Sequence, residues 1–568
     1  MDTDDTVDTH AGDPTWHRVH PMTPFLQAWV GLVAAVGGIA AGFQNTIQGL
    51  IEALVRGRPL SEVEGIGWVA SHSWVLLLIL GGIVAVVVLV GLVSWLSWRA
   101  LGYRVDDTNV YLRHGILTKE HKQARMDRVQ SVDVNQPFVP RLLGFAAVTF
   151  DVAGGKGSSV DIRFLRKARA EELREEMLGL VRAAKVERTG DPSAPAAPEE
   201  GTDARPGQGS SAAGLSGVVE ETAETVAADF GATIHDLLVP YGVRIRPDED
   251  GQLVRAPAHR VVLARVLSEE MLVMAFFALL AIGGVITLLA LGMVEVAIPV
   301  LFSVLFPLGA FTFGFFKGGI DNANFTVRVT EDGLAVSRGL TSTVRRTLPL
   351  DRVQAVRIRQ PLLWRKADWW EVTFNTAGGG GNEDGSGTSG NDNVLFPVGT
   401  REEALTLAAL ALPDPGLDAE AVEASSLYSS AMYWTRSSDP HASAAEALFR
   451  PHSPRARILD WLTWRRNGFV VTDTTLVIRA GRLTREVVVV PHARVQSMAL
   501  HDGPLRRALG LGDVRLHSTA GPVNAQLNHL DAEVAREFFL THAETTWAAR
   551  HRMDAGTEPA PAGVRAPA

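Results

Sequence analysis

Three arginines recur in one setting: Arg128-Val129-Gln130, Arg352-Val353-Gln354 and Arg494-Val495-Gln496. A guanidinium is a planar fork of donors that can grip a phosphate or carboxylate with two parallel bonds. Three such groups, each beside a glutamine, admit a ligand-binding reading. They also admit a structural one, in which Arg128, Gln130, Arg352, Gln354, Arg494 and Gln496 tie a turn to a sheet edge and the valines pack inside. Retention through internal duplication favours the structural reading. Downstream of each motif lies a short loop mixing bases with apolar residues: PRLLG with Arg141, LLWRKA with Arg365 and Lys366, and PLRRALG with Arg506 and Arg507. Facing a bilayer, such loops would hold anionic headgroups at roughly 1 kcal/mol per base. Facing water, they are ordinary solvated loops.

Signals for catalysis or cofactors are poor. GGKGSS, at 154–159, lacks the spacing of a phosphate-binding loop and reads as a hairpin turn. His492, His501 and His517 have no zinc spacing, and no H-E-x-x-H occurs. NEDGSGTSGND resembles a calcium loop only in composition and reads as a flexible loop. The chain has 568 residues and no cysteine, which removes disulfides, thiolate metal sites and a cysteine nucleophile. No catalytic residues, cofactor or metal are therefore expected.

The elements that carry these motifs repeat three times. Each unit opens with a strand, an Asp-containing turn and a second strand: YRVDDTNVYLRHGIL, FTVRVTEDGLAVSRGL and FVVTDTTLVIRAGRL. Each second strand ends in Arg-(x)-Gly, at Arg113/Gly115, Arg338/Gly339 and Arg479/Gly481. A third strand leads to Arg-Val-Gln, the basic loop follows, and then come a further strand and a Gly turn. A segment of helical period closes each unit, with Leu173, Met177, Leu178, Leu180 and Val181 on its apolar side in the first copy. Short alternating strands followed by one helix predict a small β-sandwich or barrel with a helical cap.

Four windows are apolar for long enough to cross a bilayer: Phe25–Phe43, Trp74–Trp98, Met271–Met293 and Val296–Phe316. They fall as two hairpins, one before repeat one and one before repeat two, which explains why the arginine motifs are unevenly spaced. The expected fold class is a mixed membrane protein, with four transmembrane α-helices in two hairpins and three helix-capped β-domains. Arg99, Arg104 and Arg113 follow the second window, Arg255, Arg260 and Arg265 precede the third, and Lys317 follows the fourth. By the positive-inside rule the β-domains and both termini face the cytoplasm.

Charge supports this division. The net charge is −9, and residues 187–250, with 13 acids and 4 bases, account for all of it. A near-neutral body is no nucleic-acid binder. The segment Phe449–Gly468, FRPHSPRARILDWLTWRRNG, sets Ile458, Leu459, Trp461, Leu462 and Trp464 among five arginines and predicts an interfacial amphipathic helix. The expected order is a disordered tail 1–24, hairpin 25–98, repeat 101–186, acidic disordered linker with a short helix 187–250, hairpin 251–317, repeat 322–413, connector 414–466, repeat 467–550 and a disordered tail 551–568.

The thrice-repeated Arg-(x)-Gly turn, the [DA]-R-V-Q-[SA]-[VM] motif and its basic loop, attached to paired spans, resemble the bacterial pleckstrin-homology-like (PH-like) membrane proteins of the YdbS/YdbT type. The match is best in repeat three. Repeat two departs from it at Trp364, Arg365, Lys366 and Ala367, and repeat one at Val139 and Pro140. The resemblance implies PH-like β-domains, a plasma-membrane location, no established enzymatic activity, and membrane lipids or a smaller companion PH-like membrane protein as partners. The expected function is membrane-anchored binding or scaffolding at the cytoplasmic face. The alternative is a transporter or permeation accessory subunit, which the scarcity of ionisable residues inside the windows weakens.

Overall fold

The computed structural model describes residues 17–18, scattered positions between 74 and 99, most of 102–189, residue 248, and 251–554 apart from 331–332, 378–392, 413–415, 418–423 and 434–439. The expected first span, most of the acidic linker, GGKGSS and NEDGSGTSGND lie outside the described residues. Two compact units emerge, one built mainly on repeat one and the other on repeats two and three.

In the first unit, β1 (His17–Arg18), β2 (Gly102–Val105), β3 (Asn109–His114) and β4 (Glu120–Arg125) form an antiparallel sheet in chain order. The N-terminal tail, expected to be disordered, thus contributes a strand: His17 pairs with Tyr103 and Arg18 with Gly102. An edge strand offers unpaired backbone groups, and two residues suffice to use some of them. A second antiparallel group follows, β5 (Val129–Gln136), β6 (Phe145–Val152) and β7 (Val160–Arg166), and the helix Lys167–Thr189 closes it. Strand alternation sends Val132 and Val134, and Ala146, Val148 and Phe150, inward. The helix meets them with Ala170, Leu173, Met177 and Val181, at helical spacing, while Leu178 and Leu180 pack only at the margin.

The second unit repeats this plan twice. Repeat two comprises β8 (Gln252–Ala256), β9 (Phe325–Thr330), β10 (Gly333–Arg338), β11 (Thr343–Leu348), β12 (Val353–Gln360), β13 (Trp369–Thr376), β14 (Val394–Thr400) and the helix Arg401–Ala411. Thr400 and Glu403 form a capping box that starts this helix. Repeat three comprises β15 (Arg450–Pro451), β16 (Gly468–Val471), β17 (Thr475–Ala480), β18 (Arg485–Pro491), β19 (Ser497–His501), β20 (Leu511–His517), β21 (Ala525–Asp531) and the helix Ala532–Asp554.

The two repeats share a sheet. Its order is β14-β13-β12-β18-β17-β16-β15, so the second half of repeat two pairs with the first half of repeat three. This explains the unbroken run Val487–Val490. Val487 and Val489 face the core of repeat two, with Trp370, Phe325 and Phe396, and Val488 and Val490 face the core of repeat three, with Phe469 and Phe538. A strand buried on both faces reads as continuous apolar sequence rather than as alternation.

The helices differ from expectation. Residues 251–317 were expected to form a hairpin, but they open with strand β8 and the helix Ala258–Val266. The third window then lies in the helix Glu269–Ala290 and the fourth in Val294–Asp321, which contains Pro299 and Pro307. Of the second window only scattered positions are described, all of them helical. Among the described residues one helix, Glu269–Ala290, is long and apolar enough to cross a membrane, so the structure supports one such helix rather than the four expected. The segment Phe449–Gly468 is not a helix along its length. It holds β15, a 3-10 turn at Pro454–Ile458 and further turns, because Pro451 and Pro454 lack the N–H groups a helix would need. The connector's helices lie earlier, at Ala424–Tyr433 and Pro440–Ala447.

Candidate functional site

The three Arg-Val-Gln motifs occupy one structural position, the short turn that leads into the first strand of the second sheet. The valine is the anchor: Val129 and Val353 are 2% exposed and Val495 is 3% exposed. The flanking residues diverge. Arg128 is exposed. Gln354 is buried and donates from its side-chain amide to the Arg352 carbonyl at 3.3 Å, whereas Gln496 is exposed. Arg494 donates to the backbone carbonyl of Asp351, in the matching turn of repeat two, so the motif of one repeat clips that of its neighbour. The side chain of Gln130 lies outside the described residues. The structure thus brings the motifs of repeats two and three together, while Arg128 belongs to the first unit.

The basic loops also share a position, as one-turn segments at Phe138–Leu142, Leu362–Lys366 and Pro504–Ala508. Most of their bases have protein partners. Arg141 donates to the Thr341 carbonyl at 3.3 Å. Arg365 donates to the Arg482 and Leu483 carbonyls, closing the turn between β17 and β18, and burial beside Arg485 and Arg482 lowers its pKa. Arg506 lies 3.0 Å from the carboxylate of Asp513, which is fully buried. Arg507 pairs with Asp502 at 3.1 Å in the open, and Lys366 is exposed. The apolar side chains of these loops face outward: Phe138, Leu142, Leu362 and Leu505 are all exposed.

Sequence reasoning missed the charged junction at the foot of the apolar helix. Glu269, its first residue, pairs with Arg359 of β12 and accepts a hydrogen bond from the Thr484 hydroxyl. Arg359 also lies 3.9 Å from Glu270 and 3.8 Å from Glu371. Desolvation raises the Glu371 pKa against the pull of Arg359, Arg357 and Arg265. Nearby, the Trp364 indole donates to the Ala264 carbonyl at 2.9 Å, and Arg260 pairs with Glu403 at 2.9 Å. The helix Ala258–Val266 and the first turn of the apolar helix are therefore fastened to repeat two by several bonds. The only sequence signal was the acidic pair Glu269-Glu270 ahead of an uncharged run.

A second missed cluster fixes the connector. Arg479, the Arg-(x)-Gly arginine of repeat three, is 3% exposed and grips Glu446 with two bonds of 2.6 Å, while the Ser430 hydroxyl donates to the same carboxylate. Arg466 donates to the Ala431 and Met432 carbonyls, and burial together with Arg485 and Arg479 lowers its pKa to about 9. Gly481 ends the motif at φ +74°, where an added Cβ would lie 2.0 Å from the Thr484 carbonyl. In repeat two the matching Arg338 donates to the Asn322 side chain at 3.3 Å. Arg479 also donates to the Arg466 carbonyl at 2.9 Å, so in repeat three these arginines position backbone.

The plan of antiparallel sheets with a closing helix matches one family along most of its length. The model described as Bacterial PH domain matches residues 63–181, 272–414 and 442–544, more than half of the chain. The chain belongs to the bacterial PH domain family. No curated protein and no solved structure matches it. The bacterial PH domain match takes in the second apolar window in its first segment and, from residue 272 on, both described apolar helices in its second, but no such window in its third. Among the described residues, no group of three or more His, Asp or Glu side chains could hold a metal ion. His492 instead packs its ring 4.8 Å from that of His542, inside repeat three.

Proposed function

We propose that this bacterial PH domain protein is anchored in the plasma membrane, as a relative of the YdbS/YdbT type. Its PH-like repeats form a binding or scaffolding surface at the cytoplasmic face, and it binds rather than catalyses. One observation carries the reading. The helix Glu269–Ala290 has a mean hydropathy of 2.7 over its most apolar stretch, yet only 6% of that stretch is buried. Phe276, Phe277, Leu279 and Leu280 are each 59% exposed or more. Covering such a side chain fully gains about 1.5–3 kcal/mol, so a row left open supports a surrounding apolar phase. Length favours a bilayer, since 22 helical residues match the hydrocarbon thickness.

Orientation follows from the flanks. Arg255, Arg260 and Arg265 precede this helix and Lys317 lies near the end of the next, whereas the turn Leu291–Met293 carries no base. The basic side is the one attached to the PH-like strands, and the positive-inside rule supports a cytoplasmic side for them. In this reading the outward apolar residues of the basic loops and the free Lys366 meet lipid or a protein partner.

The absence of native cysteine allows a direct test. Leu291→Cys, at the exposed turn between the apolar helices, and Ala520→Cys, in an exposed turn of repeat three, are treated separately with a membrane-impermeant maleimide. In intact spheroplasts Leu291→Cys is expected to label and Ala520→Cys to label only after lysis. Labelling of Ala520→Cys in intact spheroplasts, or recovery of the chain in the soluble fraction, would overturn the reading.

A further inference from the structure

Within the second unit the repeats join by one rule. The first strand of the second sheet, β12, accepts the last strand of the next repeat's first sheet, β18, as an antiparallel neighbour. Repeat three has its own strand in the β12 position, β19, and it follows Arg494 as β12 follows Arg352. Among the described residues β19 pairs only with β20. The difference shows in burial. Six of the eight residues of β12 are buried, whereas none of the five in β19 is, and Leu500 is 41% exposed. A strand with one open edge presents a row of unpaired N–H and C=O groups to which another strand can add.

The chain also contains a strand of the type that β19 lacks. Strand β4 stands before Arg128 as β18 stands before Arg494, and it ends its own sheet among the described residues. In the shared sheet Arg359 lies opposite Glu486, Ile358 opposite Val487 and Val356 opposite Val489. Carrying that register over by the offsets from the shared arginines places His501 opposite Glu120, Leu500 opposite His121 and Met498 opposite Gln123. Glu120 thus takes the position of Glu486, and His501 that of Arg359, so the base-against-acid pairing is kept.

We propose that β19 is a docking edge for β4 of a second copy of this chain, in the register of β12 and β18. The inference rests on strand pairing and is independent of the membrane reading. Such a contact joins two different surfaces, so each added copy leaves one β4 and one β19 open, and the product is a ring or a filament rather than a closed dimer.

The test is sedimentation of the full chain, purified in a mild nonionic detergent, over a wide range of concentration. The wild type is expected to form dimers and higher species that dissociate on dilution. His501→Glu sets two acids opposite each other and is expected to raise the dissociation constant about fivefold, the factor for a like-charge cross-strand pair near 1 kcal/mol. Glu120→Lys combined with His501→Glu is expected to restore assembly, and mixing the two single variants is expected to restore it as well, with the two alternating, because each cross-contact then sets a base against an acid. A monomeric wild type would overturn the proposal. So would assembly indifferent to His501→Glu, or a loss that Glu120→Lys does not rescue, which would point to pairing of β19 with itself or with another protein. Far-ultraviolet circular dichroism of each variant checks that the substitutions leave the fold intact.

Discussion

Repeats two and three follow the same plan, and they differ in what fills one slot. In each, a short edge strand pairs with the next strand of the sheet: β8 with β9 and β15 with β16. Repeat two opens the chain between these strands and inserts the helices Ala258–Val266, Glu269–Ala290 and Val294–Asp321. Repeat three fills the same slot with a 3-10 turn and a few further turns. There the slot is tied down by polar bonds: Ser453 donates to Asp531 at 2.7 Å, and His529 lies 2.6 Å from Asp460. The sheet is thus the constant part of the repeat and the slot the variable part. A pair of long helices can be added to or left out of such a repeat without altering its core.

The shared strand β18 allows the sharpest test of that separation. Val488 and Val489 are adjacent, and both are at least 96% buried, but they face different cores. An aspartate at either position buries a charge without a partner and is expected to cost about 4 kcal/mol or more. The location of the damage distinguishes them. Val489→Asp, although on a strand of repeat three, is expected to deprotect the repeat-two helix Arg401–Ala411 first in hydrogen exchange. Val488→Asp is expected to release the helix Ala532–Asp554 first. If both variants released the same helix, the two cores would not be separate structures joined by one sheet.

Acid is expected to separate the repeats next. Repeat three buries His492 and His542, and Phe538 stacks on His542 at 4.6 Å. Desolvation lowers the pKa of His492 to about 4 and that of His542 to about 3. His452, in the slot of the same repeat, is held at about 4, again mainly by desolvation. The fold therefore favours neutral imidazole, while the unfolded chain takes up protons below about pH 6.5. Stability from these residues is complete above that value and falls as the pH drops toward 4, by about 3 kcal/mol for a shift of this size at one histidine. Repeat two carries Leu350 in the turn position of His492 and lacks this sensitivity. Thermal melts between neutral pH and pH 4 should show the steepest loss for the wild type and a flatter one for His492→Leu, with His452 and His542 still titrating.

The sequence was most legible where a periodic pattern met a single environment. Strand alternation located the sheets, and the helix with Leu173, Met177 and Val181 buries those residues. It was least legible where backbone pairing is decided at long range. His17 and Arg18 give no local sign of a strand, and the tail pairs because β2 offers an edge. Phe449–Gly468 showed an amphipathic composition, but prolines and the buried bonds of Arg466 set its path. The shared sheet was foreshadowed only by the run Val487–Val490, which is explained once two cores are known. At the candidate site, arginines looked alike in sequence and proved different in role, because their partners lie on other elements.

That last point gives the smallest contrast. Arg506 and Arg507 are neighbours in one loop, and in sequence both were equally candidates for a lipid-facing or a solvated position. Arg506 serves Asp513, whose other oxygen accepts the His529 backbone N–H at 2.8 Å. Arg506→Ala would leave that buried carboxylate without its cation, and the loss is expected to be about 2 kcal/mol because the guanidinium itself is one-third exposed. Arg507 meets Asp502 where both side chains are more than half exposed, and Arg507→Ala is expected to leave the melting temperature unchanged. Equal destabilisation by the two variants would mean that the loop acts as one charged unit. If only Arg506→Ala is destabilising, Arg507 and Lys366 are the bases whose replacement reports on an external ligand free of any effect on folding. Those two are then the positions at which binding of anionic vesicles should be measured.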